Sequence, residues 1–191
     1  VNVKIHYGFT PENDPVSMFE TMGLSTKNFE SNKYSRYERC LSAFLSHRSL
    51  WTACSEQKEN FLILEHDAVF NNALPTSVMY DKNIEIVSFG EPSYGKFNTP
   101  SRIGINPLTS KTYFPGAHAY MMTPKGAEKA LEESFKSAQP TDIFFNVNSF
   151  PDLKEFYPWP VSVKENFSTI QRQIGCLAKH DYKEGLGYTL L

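Results

Sequence analysis

The sequence predicts an α/β fold with a mostly parallel central sheet flanked by helices. Apolar strand-like segments alternate with helix-like segments along the chain, which is typical of such folds. The run FLIL at 61–64 is apolar without alternation, as expected for a strand that helices cover on both faces. With 191 residues the chain is long enough for one well-packed domain, and we expect a single domain over residues 1–191.

The first third of the chain predicts one strand and two helices. VNVKIHYGF at 1–9 is expected to form the first strand, and VSMFETMGL at 16–24 a helix that Gly23 caps. Apolar residues recur at helical spacing over 36–59, which predicts a helix of about six turns. The pattern leaves open a break in this helix near His47.

The middle of the chain predicts two buried strands and a loop. The apolar run at 61 is followed by NIEIVSFG at 83–90, which predicts a second buried strand that Gly90 ends. Residues 91–112 are rich in Pro, Gly, Ser and Asn and have neither helical nor strand periodicity. They suit a loop or a weak hairpin over the functional face.

The last part of the chain predicts a strand, a turn and a helix over 113–135. Thr123 is the expected N-cap of that helix, and Pro124 its first residue. PTDIFFNVNSF at 140–150 is expected to form a short helix or strand. The Pro-rich stretch at 156–170 predicts extended chain, and the tail that follows it has little pattern.

Composition restricts the partners and the location. The net charge is −2, from 19 basic and 21 acidic residues, so no long-range field attracts nucleic acid or an anionic membrane. We expect no nucleic acid partner and at most peripheral membrane contact, since no window reaches the roughly 18 apolar residues of a membrane span. The three cysteines, Cys40, Cys54 and Cys176, form no CxxC pair, which favours a reducing, cytoplasmic location.

Three ionisable residues, Glu65, His66 and Asp67, follow the apolar run at 61–64 directly. In open α/β sheets ligands bind at the carboxyl ends of strands, so these side chains are expected to face a crevice. Carboxylate oxygens are the ligands that Mg²⁺ and Mn²⁺ prefer, and residues two apart on a strand share a face. The triplet therefore predicts a divalent cation site, with a solvated strand end or a helix cap as the alternative.

Four further residues are candidates for a site. Ser46 and His47 lie on the helix before the acidic strand, although a lone helical histidine is more often a core or capping residue. Gly116 allows close approach of the backbone to a ligand, or simply tight packing. Asp142, beside a turn proline, is either a helix N-cap or a general base that faces the crevice.

Taken in order, these segments resemble glycosyltransferase family 25, the lipooligosaccharide galactosyltransferases and their collagen-modifying relatives. The family has a Ser-His and a Trp on a helix, then an apolar strand that ends in Glu-Asp-Asp, and SHRSLWTACSEQKENFLILEHD is similar. Its Gly-Thr-x-x-Tyr strand and Gly-Ala helix are matched by GAHAYMMTPKGAEKAL, and its Pro-x-Asp by PTD at 140–142. PWPVSVKENFSTI resembles its closing segment, so the likeness covers roughly residues 36–170.

The resemblance implies a GT-A-like nucleotide-diphospho-sugar transferase fold. It implies metal-dependent transfer of a hexose, galactose above all, from a UDP-sugar to a glycan or lipooligosaccharide acceptor, with inversion. Mn²⁺ or Mg²⁺ would be the cofactor, with Asp67, Glu65 and His66 as its ligands. Such a cation stabilises the negative charge that develops on the leaving diphosphate.

By the same resemblance, Glu65 would contact either the metal or the donor ribose, and Ser46, His47 and Gly116 would shape the donor pocket. Asp142 would be the catalytic base that deprotonates the acceptor hydroxyl.

The sequence departs from the family pattern at two places. His66 replaces the middle aspartate of the acidic triplet, which removes one negative charge and leaves an imidazole ligand. The start is short, because VNVKIHYGF aligns better with the second strand of the family, unless it is a first strand followed by a reduced helix. The alternative function is therefore a catalytically degenerate carbohydrate- or nucleotide-binding relative.

Overall fold

The computed structural model of the chain describes residues 3–30, 36–74, 84–93, 95–114 and 116–163. Our expectations for Cys176, for most of the closing family-like segment and for the tail fall on residues outside these ranges. None of the helices in the described part of the chain has the length and apolar character that a membrane span requires.

Four α-helices and two short 3₁₀ turns form the helical part of the described chain. The helices are α1 Pro15–Thr21, α2 Tyr37–Gln57, α3 Pro124–Ser137 and α4 Thr141–Phe144, and the 3₁₀ turns are Pro11–Asn13 and Lys27–Phe29. Helix α2 continues through His47 without a break. The predicted helices near 16–24, 36–59 and 124–135 are thus confirmed, and the segment at 140–150 begins with a short helix.

The helix caps follow from the sequence. Gly23 has φ +69°, a left-handed conformation that favours glycine, and the next N–H, of Leu24, donates to the carbonyl of Phe19 at 2.8 Å. The side chain of Thr123 accepts from the N–H of Gly126 at 3.2 Å and so caps α3. Both predicted caps are confirmed.

Seven short strands form two sheets among the residues that the structure describes. They are β1 Phe61–Leu64, β2 Ala68–Phe70, β3 Ile86–Ser88, β4 Gly104–Pro107, β5 Ala119–Met122, β6 Lys154–Tyr157 and β7 Val161–Val163. Five of them form a sheet in the order β1-β5-β3-β6-β4, and β2 pairs with β7 in a separate antiparallel sheet. The loop predicted at 91–112 therefore contributes an edge strand, β4.

The prediction of a mostly parallel sheet was wrong. In the five-stranded sheet only β3 and β6 pair in parallel, whereas β1 with β5, β3 with β5, and β4 with β6 are antiparallel. β5 enters between β1 and β3 and runs against both of them. The apolar run at 61–64 has another cause: on this edge strand, Ile63 belongs to one apolar cluster while Leu62 packs against the other.

The prediction of a first strand at 1–9 was also wrong for the residues described. Residues 3–9 form no strand, and the side chains of Val3, Ile5 and Tyr7 are exposed. Alternating apolar residues make a strand only when a neighbouring strand supplies hydrogen bonds. Here the segment is instead attached to α2, since the N–H of Phe9 donates to Oγ of Ser46 at 2.8 Å.

Two apolar clusters cover opposite faces of the five-stranded sheet. The larger one packs residues of all four helices against one face. At its centre Trp51 stacks on Phe144 with ring centroids 5.1 Å apart, and Phe44 meets Trp51 edge-on at 5.5 Å. The smaller cluster includes Val87 and Met121 on the other face.

The strand register aligns one residue from each strand in a transverse row. Ile63 pairs with Tyr120, Tyr120 with Ser88, Ser88 with Glu155, and Glu155 with Asn106. This row crosses the whole sheet on the face that carries α2.

A second row lies on the same face of the sheet. It is displaced from the first row by two residues, towards the carboxyl ends of β1, β3 and β6. Its members are Glu65 and His118 at one end and Tyr157 and Gly104 at the other, and between them Gly90 lies beside His118 and pairs with Val161 of β7. The N–H of Glu65 donates to the carbonyl of His118 at 2.9 Å, and Tyr157 pairs with Gly104. We call this second row the carboxyl edge, and the candidate site lies on it.

Candidate functional site

The acidic triplet forms a turn and not a continuation of β1. Strand β1 ends at Leu64, and the N–H of Ala68 donates to the carbonyl of Glu65 at 3.1 Å. The expectation that Glu65 and Asp67 share a face because they lie two apart on a strand was therefore wrong. They are nevertheless neighbours, since the charge of Glu65 raises the pKa of Asp67. The triplet does lie at the end of β1, as predicted.

A chain of hydrogen bonds runs from the core to Glu65. Nε1 of Trp51 donates to the hydroxyl oxygen of Tyr120 at 2.8 Å, and that hydroxyl lies 2.9 Å from Nδ1 of His47. Nε2 of His47 lies 3.0 Å from Oε1 of Glu65. An ionised carboxylate only accepts, so Nε2 carries the hydrogen, Nδ1 accepts from Tyr120, and every hydrogen in the chain has an acceptor.

Local helix geometry assembles this chain. His47 and Trp51 lie four residues apart on α2 and therefore project from the same face of the helix. That face packs on β5, where the ring of Tyr120 stacks on His47 with centroids 5.7 Å apart. The buried His47 is thus both a core histidine and a site residue, and the two interpretations left open by the sequence are compatible.

The carboxyl of Glu65 is held in its ionised form. Burial raises its pKa, but the hydrogen bond from His47 and the electrostatic effect of the surrounding imidazoles of His47, His118 and His66 outweigh burial and lower it. Among the described residues His47 binds Oε1 of Glu65 and not Oε2, so Oε2 is available to another partner.

The pKa of Asp67 is shifted in the opposite direction, above its ordinary value. Its Oδ1 is enclosed and has no hydrogen-bond partner within the described part of the chain. Burial raises its pKa, the charge of Glu65 raises it further, and the exposed His66 only partly compensates. An acceptor without a donor beside a second carboxylate is a place where a cation would relieve both costs.

The residues present fit a divalent cation only as a partial site. Mg²⁺ is often bound by one or two carboxylates together with substrate phosphates, and Asp67 with Glu65 meets that description. Within the ranges that the structure describes, however, no group of three or more His, Cys, Asp or Glu side chains converges on one point. The ligand set predicted from the sequence, which included His66, is therefore not preassembled.

Sequence analysis missed His118, which is 1% exposed and lies beside Glu65 on the carboxyl edge. Both of its ring nitrogens lack a hydrogen-bond partner among the described residues. Burial lowers its pKa, while Glu65 and the nearby carbonyl of Val161 oppose this effect. The only signal in the sequence was its position inside GAHAY, between a glycine and a buried strand.

Two glycines make room for the ring of His118. A Cβ at position 90 would lie 2.4 Å from Nε2, and one at position 116 would lie 2.7 Å from Nδ1. Gly116 also has φ +130°, which side chains rarely adopt. The close backbone approach predicted for Gly116 is real, but what it approaches in this structure is His118.

Ser46 and Asp142 lie in other surroundings. The hydroxyl of Ser46 donates to the carbonyl of Ser42 at 2.8 Å and accepts from Phe9, so it anchors the N-terminal segment. Oδ1 of Asp142 accepts from the N–H of Ile143 at 3.0 Å, at the start of α4. Its charge acts on the amino group of Lys111, whose pKa burial lowers and Asp142 raises.

Residues 25–145, more than half of the chain, match the sequence model of glycosyltransferase family 25, described as an LPS biosynthesis protein. The match includes every site residue discussed above, from Ser46 to Asp142, and it confirms the resemblance found in the motifs. Among curated proteins no significant match was found.

Proposed function

Because the chain belongs to glycosyltransferase family 25, we propose that it transfers a hexose, galactose by expectation, from a UDP-sugar to a glycan or lipooligosaccharide hydroxyl. The observation that carries the proposal is the enclosed Oδ1 of Asp67 at the end of β1, for which none of the described residues supplies a hydrogen-bond donor. Carboxylates in this position suit a cation and a diphosphate, and ligands of α/β folds bind at the carboxyl ends of strands.

In this proposal Asp67 and Glu65 would hold a Mn²⁺ or Mg²⁺ ion, with His66 as a further ligand. The cation, when bound, stabilises the negative charge on the departing diphosphate. His47 is a positioning residue, because its Nε2–H fixes Oε1 of Glu65 and so directs the other oxygen towards the ligand.

Asp142 is the proposed general base. The acceptor hydroxyl oxygen forms a bond to the anomeric carbon of the donor sugar as the bond to the diphosphate breaks. The hydroxyl proton passes to the carboxylate of Asp142, and UDP leaves with the electron pair. Attack from the face opposite to the leaving group inverts the anomeric configuration, and a base of this kind contributes about 10²–10⁴-fold to rate.

The second candidate is a carbohydrate- or nucleotide-binding relative without transferase activity. It is favoured by the lack of a preassembled group of three ligating side chains in the described ranges. The negative charge of Glu65 is also shared with the imidazole of His47, and His66 stands where the family pattern has an aspartate. Both features weaken attraction for a cation relative to three carboxylates.

Thermal unfolding in the presence of UDP and Mn²⁺ tests whether the chain binds a nucleotide at all. Ligand at 100 times its dissociation constant stabilises the native state by about 2.7 kcal/mol, which raises Tm by about 5–10 °C for a chain of this size. We expect this shift in the wild type and in D152A, a control at an exposed acid, and not in D67A. No shift with either Mn²⁺ or Mg²⁺ at saturating UDP would contradict the proposal.

Release of UDP in the presence of an acceptor then separates enzyme from binding module. D142N is expected to retain the UDP-dependent shift and to lose transfer, because it keeps the shape of the side chain without its basic oxygen. A wild type that binds UDP and Mn²⁺ but transfers no sugar to any glycan acceptor would support the second candidate.

A further inference from the structure

Three aromatic rings form an exposed group at the far end of the carboxyl edge. Trp159 meets Phe97 edge-on with centroids 5.7 Å apart and meets Tyr157 edge-on at 5.0 Å. Phe97 is 42% exposed, and the other two rings are half-buried. We call Phe97, Tyr157 and Trp159 the aromatic platform.

The platform is held in place by Glu155, a carboxylate that is only 1% exposed. Its Oε2 accepts from Nε1 of Trp159 at 3.2 Å. Its Oε1 accepts from the backbone N–H groups of Thr109 at 2.7 Å and Ser110 at 2.8 Å. A buried carboxylate is retained only when hydrogen bonds compensate its desolvation, so this one fixes both the tryptophan and the 109–110 loop.

The same loop also fixes Phe97. The N–H of Asn98 donates to the carbonyl of Ser110 at 3.0 Å, which ties the residue after Phe97 to the loop that Glu155 holds. The rings are therefore ordered before any ligand arrives. Rings that are already held in one position lose little conformational entropy when a ligand binds, as a recognition surface requires.

Strand order places the platform and the acidic turn at the same end of the sheet. Tyr157 is the last residue of β6, and Glu65 directly follows β1, in the order β1-β5-β3-β6-β4. The two strands are separated by three strand spacings of about 4.8 Å each, or about 14 Å.

We propose that the aromatic platform binds a sugar ring of the acceptor glycan, with the face of the sugar ring stacked on Trp159 and its edge against the perpendicular ring of Phe97. This inference rests on the proposed transferase function and specifies where its acceptor lies. Pyranose rings present a face of C–H groups that packs on aromatic rings, while their hydroxyls need polar neighbours. The exposed residues Lys96 and Asn98, which flank Phe97 in the chain, supply polar groups for those hydroxyls.

The size of the platform favours a sugar over a protein partner. A stable protein interface buries about 800 Å² on each side, whereas three partly covered rings, of 150–250 Å² each when whole, expose far less. One or two sugar rings cover an area of that size.

Tryptophan fluorescence tests the inference on the whole chain. The sequence has two tryptophans, and Trp51 is fully buried, so quenching by acrylamide reports on Trp159. Lactose, maltose and cellobiose are the probes, and sorbitol is the control, because it carries hydroxyls but no ring face. We expect at least one disaccharide to protect Trp159 from quenching, and sorbitol to have no effect.

Two matched variants locate the binding surface. F97A is expected to weaken disaccharide binding about tenfold, which corresponds to ~1.4 kcal/mol. F135A, which removes a phenylalanine of similar exposure (54%) from helix α3, is expected to bind as the wild type does. Circular dichroism establishes that both variants are folded.

The inference is supported if a disaccharide protects Trp159 from quenching in the wild type and in F135A, but not in F97A. No protection by any disaccharide, equal losses in both variants, or a dimer in solution that F97A dissociates would overturn it. If UDP raises Tm but no disaccharide protects Trp159, the sugar-binding role of the platform is wrong and the transferase proposal stands. If a disaccharide protects Trp159 but UDP does not raise Tm, the transferase proposal is wrong instead.

Discussion

Nε2 of His47 lies 3.0 Å from Oε1 of Glu65 and joins helix α2 to the turn that follows β1. The two residues are 18 positions apart, and the helix between them brings them together because its last turns lead directly into the strand. Through Tyr120 the same imidazole is tied to Trp51 in the core. The orientation of the carboxylate at the site is therefore determined by the packing of Trp51 and Tyr120 in the core.

Removing the hydroxyl of Tyr120 should destabilise the protein. Y120F leaves Nε1 of Trp51 without an acceptor and Nδ1 of His47 without a donor, both in the core. Each buried polar group left unpaired costs about 1–3 kcal/mol, so we expect a loss of at least 1 kcal/mol in the free energy of unfolding. Urea denaturation measures it. Y7F makes the same change on an exposed side chain and should have almost no effect, and a Y120F as stable as wild type would refute the hydrogen-bond chain.

A methyl group at position 90 should clash with His118. In G90A the new Cβ would lie 2.4 Å from Nε2 of His118, so the ring or the backbone must shift. We expect a loss of about 1–3 kcal/mol in stability. The double variant G90A/H118A removes the clash, and it should be more stable than the sum of the two single effects by about 0.5–3 kcal/mol. Strict additivity of the two changes would show that the glycine is not needed for the imidazole.

The carboxylate of Asp67 should reduce stability at neutral pH. Folding raises its pKa above the ordinary value of 3.8, so below pH 3.8 the group is protonated in both states and costs nothing. As the pH rises through the folded pKa, the native state loses stability relative to a neutral side chain. Without ligand, D67N should therefore equal wild type in acid and be more stable at pH 7. D152N at an exposed acid serves as the control, and a D67N that is less stable than wild type at pH 7 would contradict the assigned burial.

Glu65 should show the reverse trend. Folding lowers its pKa below the ordinary value of 4.5, so its contribution to stability is complete above pH 4.5 and is lost as the pH falls through the folded pKa. Wild type should be more stable than E65Q at pH 6, and the difference should shrink in acid. Denaturation at several pH values measures it, with E91Q at an exposed glutamate as the control. A difference that grows towards pH 3 would be inconsistent with the bond from His47.

Local sequence signals predicted the helices and their ends well. The period of α2, the glycine after α1 and the Thr-Pro start of α3 are all properties of a few neighbouring residues. The position of the acidic triplet at the end of β1 was also predicted, since an apolar run that stops at Glu65 must end where the sheet meets solvent, but its turn conformation was not. The Ser-His and Glu-His-Asp motifs pointed to His47 and Glu65, which the structure joins by a hydrogen bond.

Strand directions and long-range partners could not be predicted from the same signals. An apolar run says that both faces are covered, but not which strand lies next to it or in which direction that strand runs. The segment at 3–9 has strand-like alternation and lacks a neighbour. His118 acquires its position only because β3 and β5 bring Gly90 beside it, and Asp142 lies near Lys111 only through the loop that packs on α4.

Binding of Mn²⁺, measured by electron paramagnetic resonance with and without UDP, tests the cation site most directly. We expect the wild type and D152A to bind one Mn²⁺ per chain with an affinity that UDP increases, and D67A to bind Mn²⁺ at least tenfold more weakly. Mn²⁺ binding that is absent from the wild type with UDP present, or that is equal in wild type and D67A, would contradict the assignment of the acidic turn as the cation site.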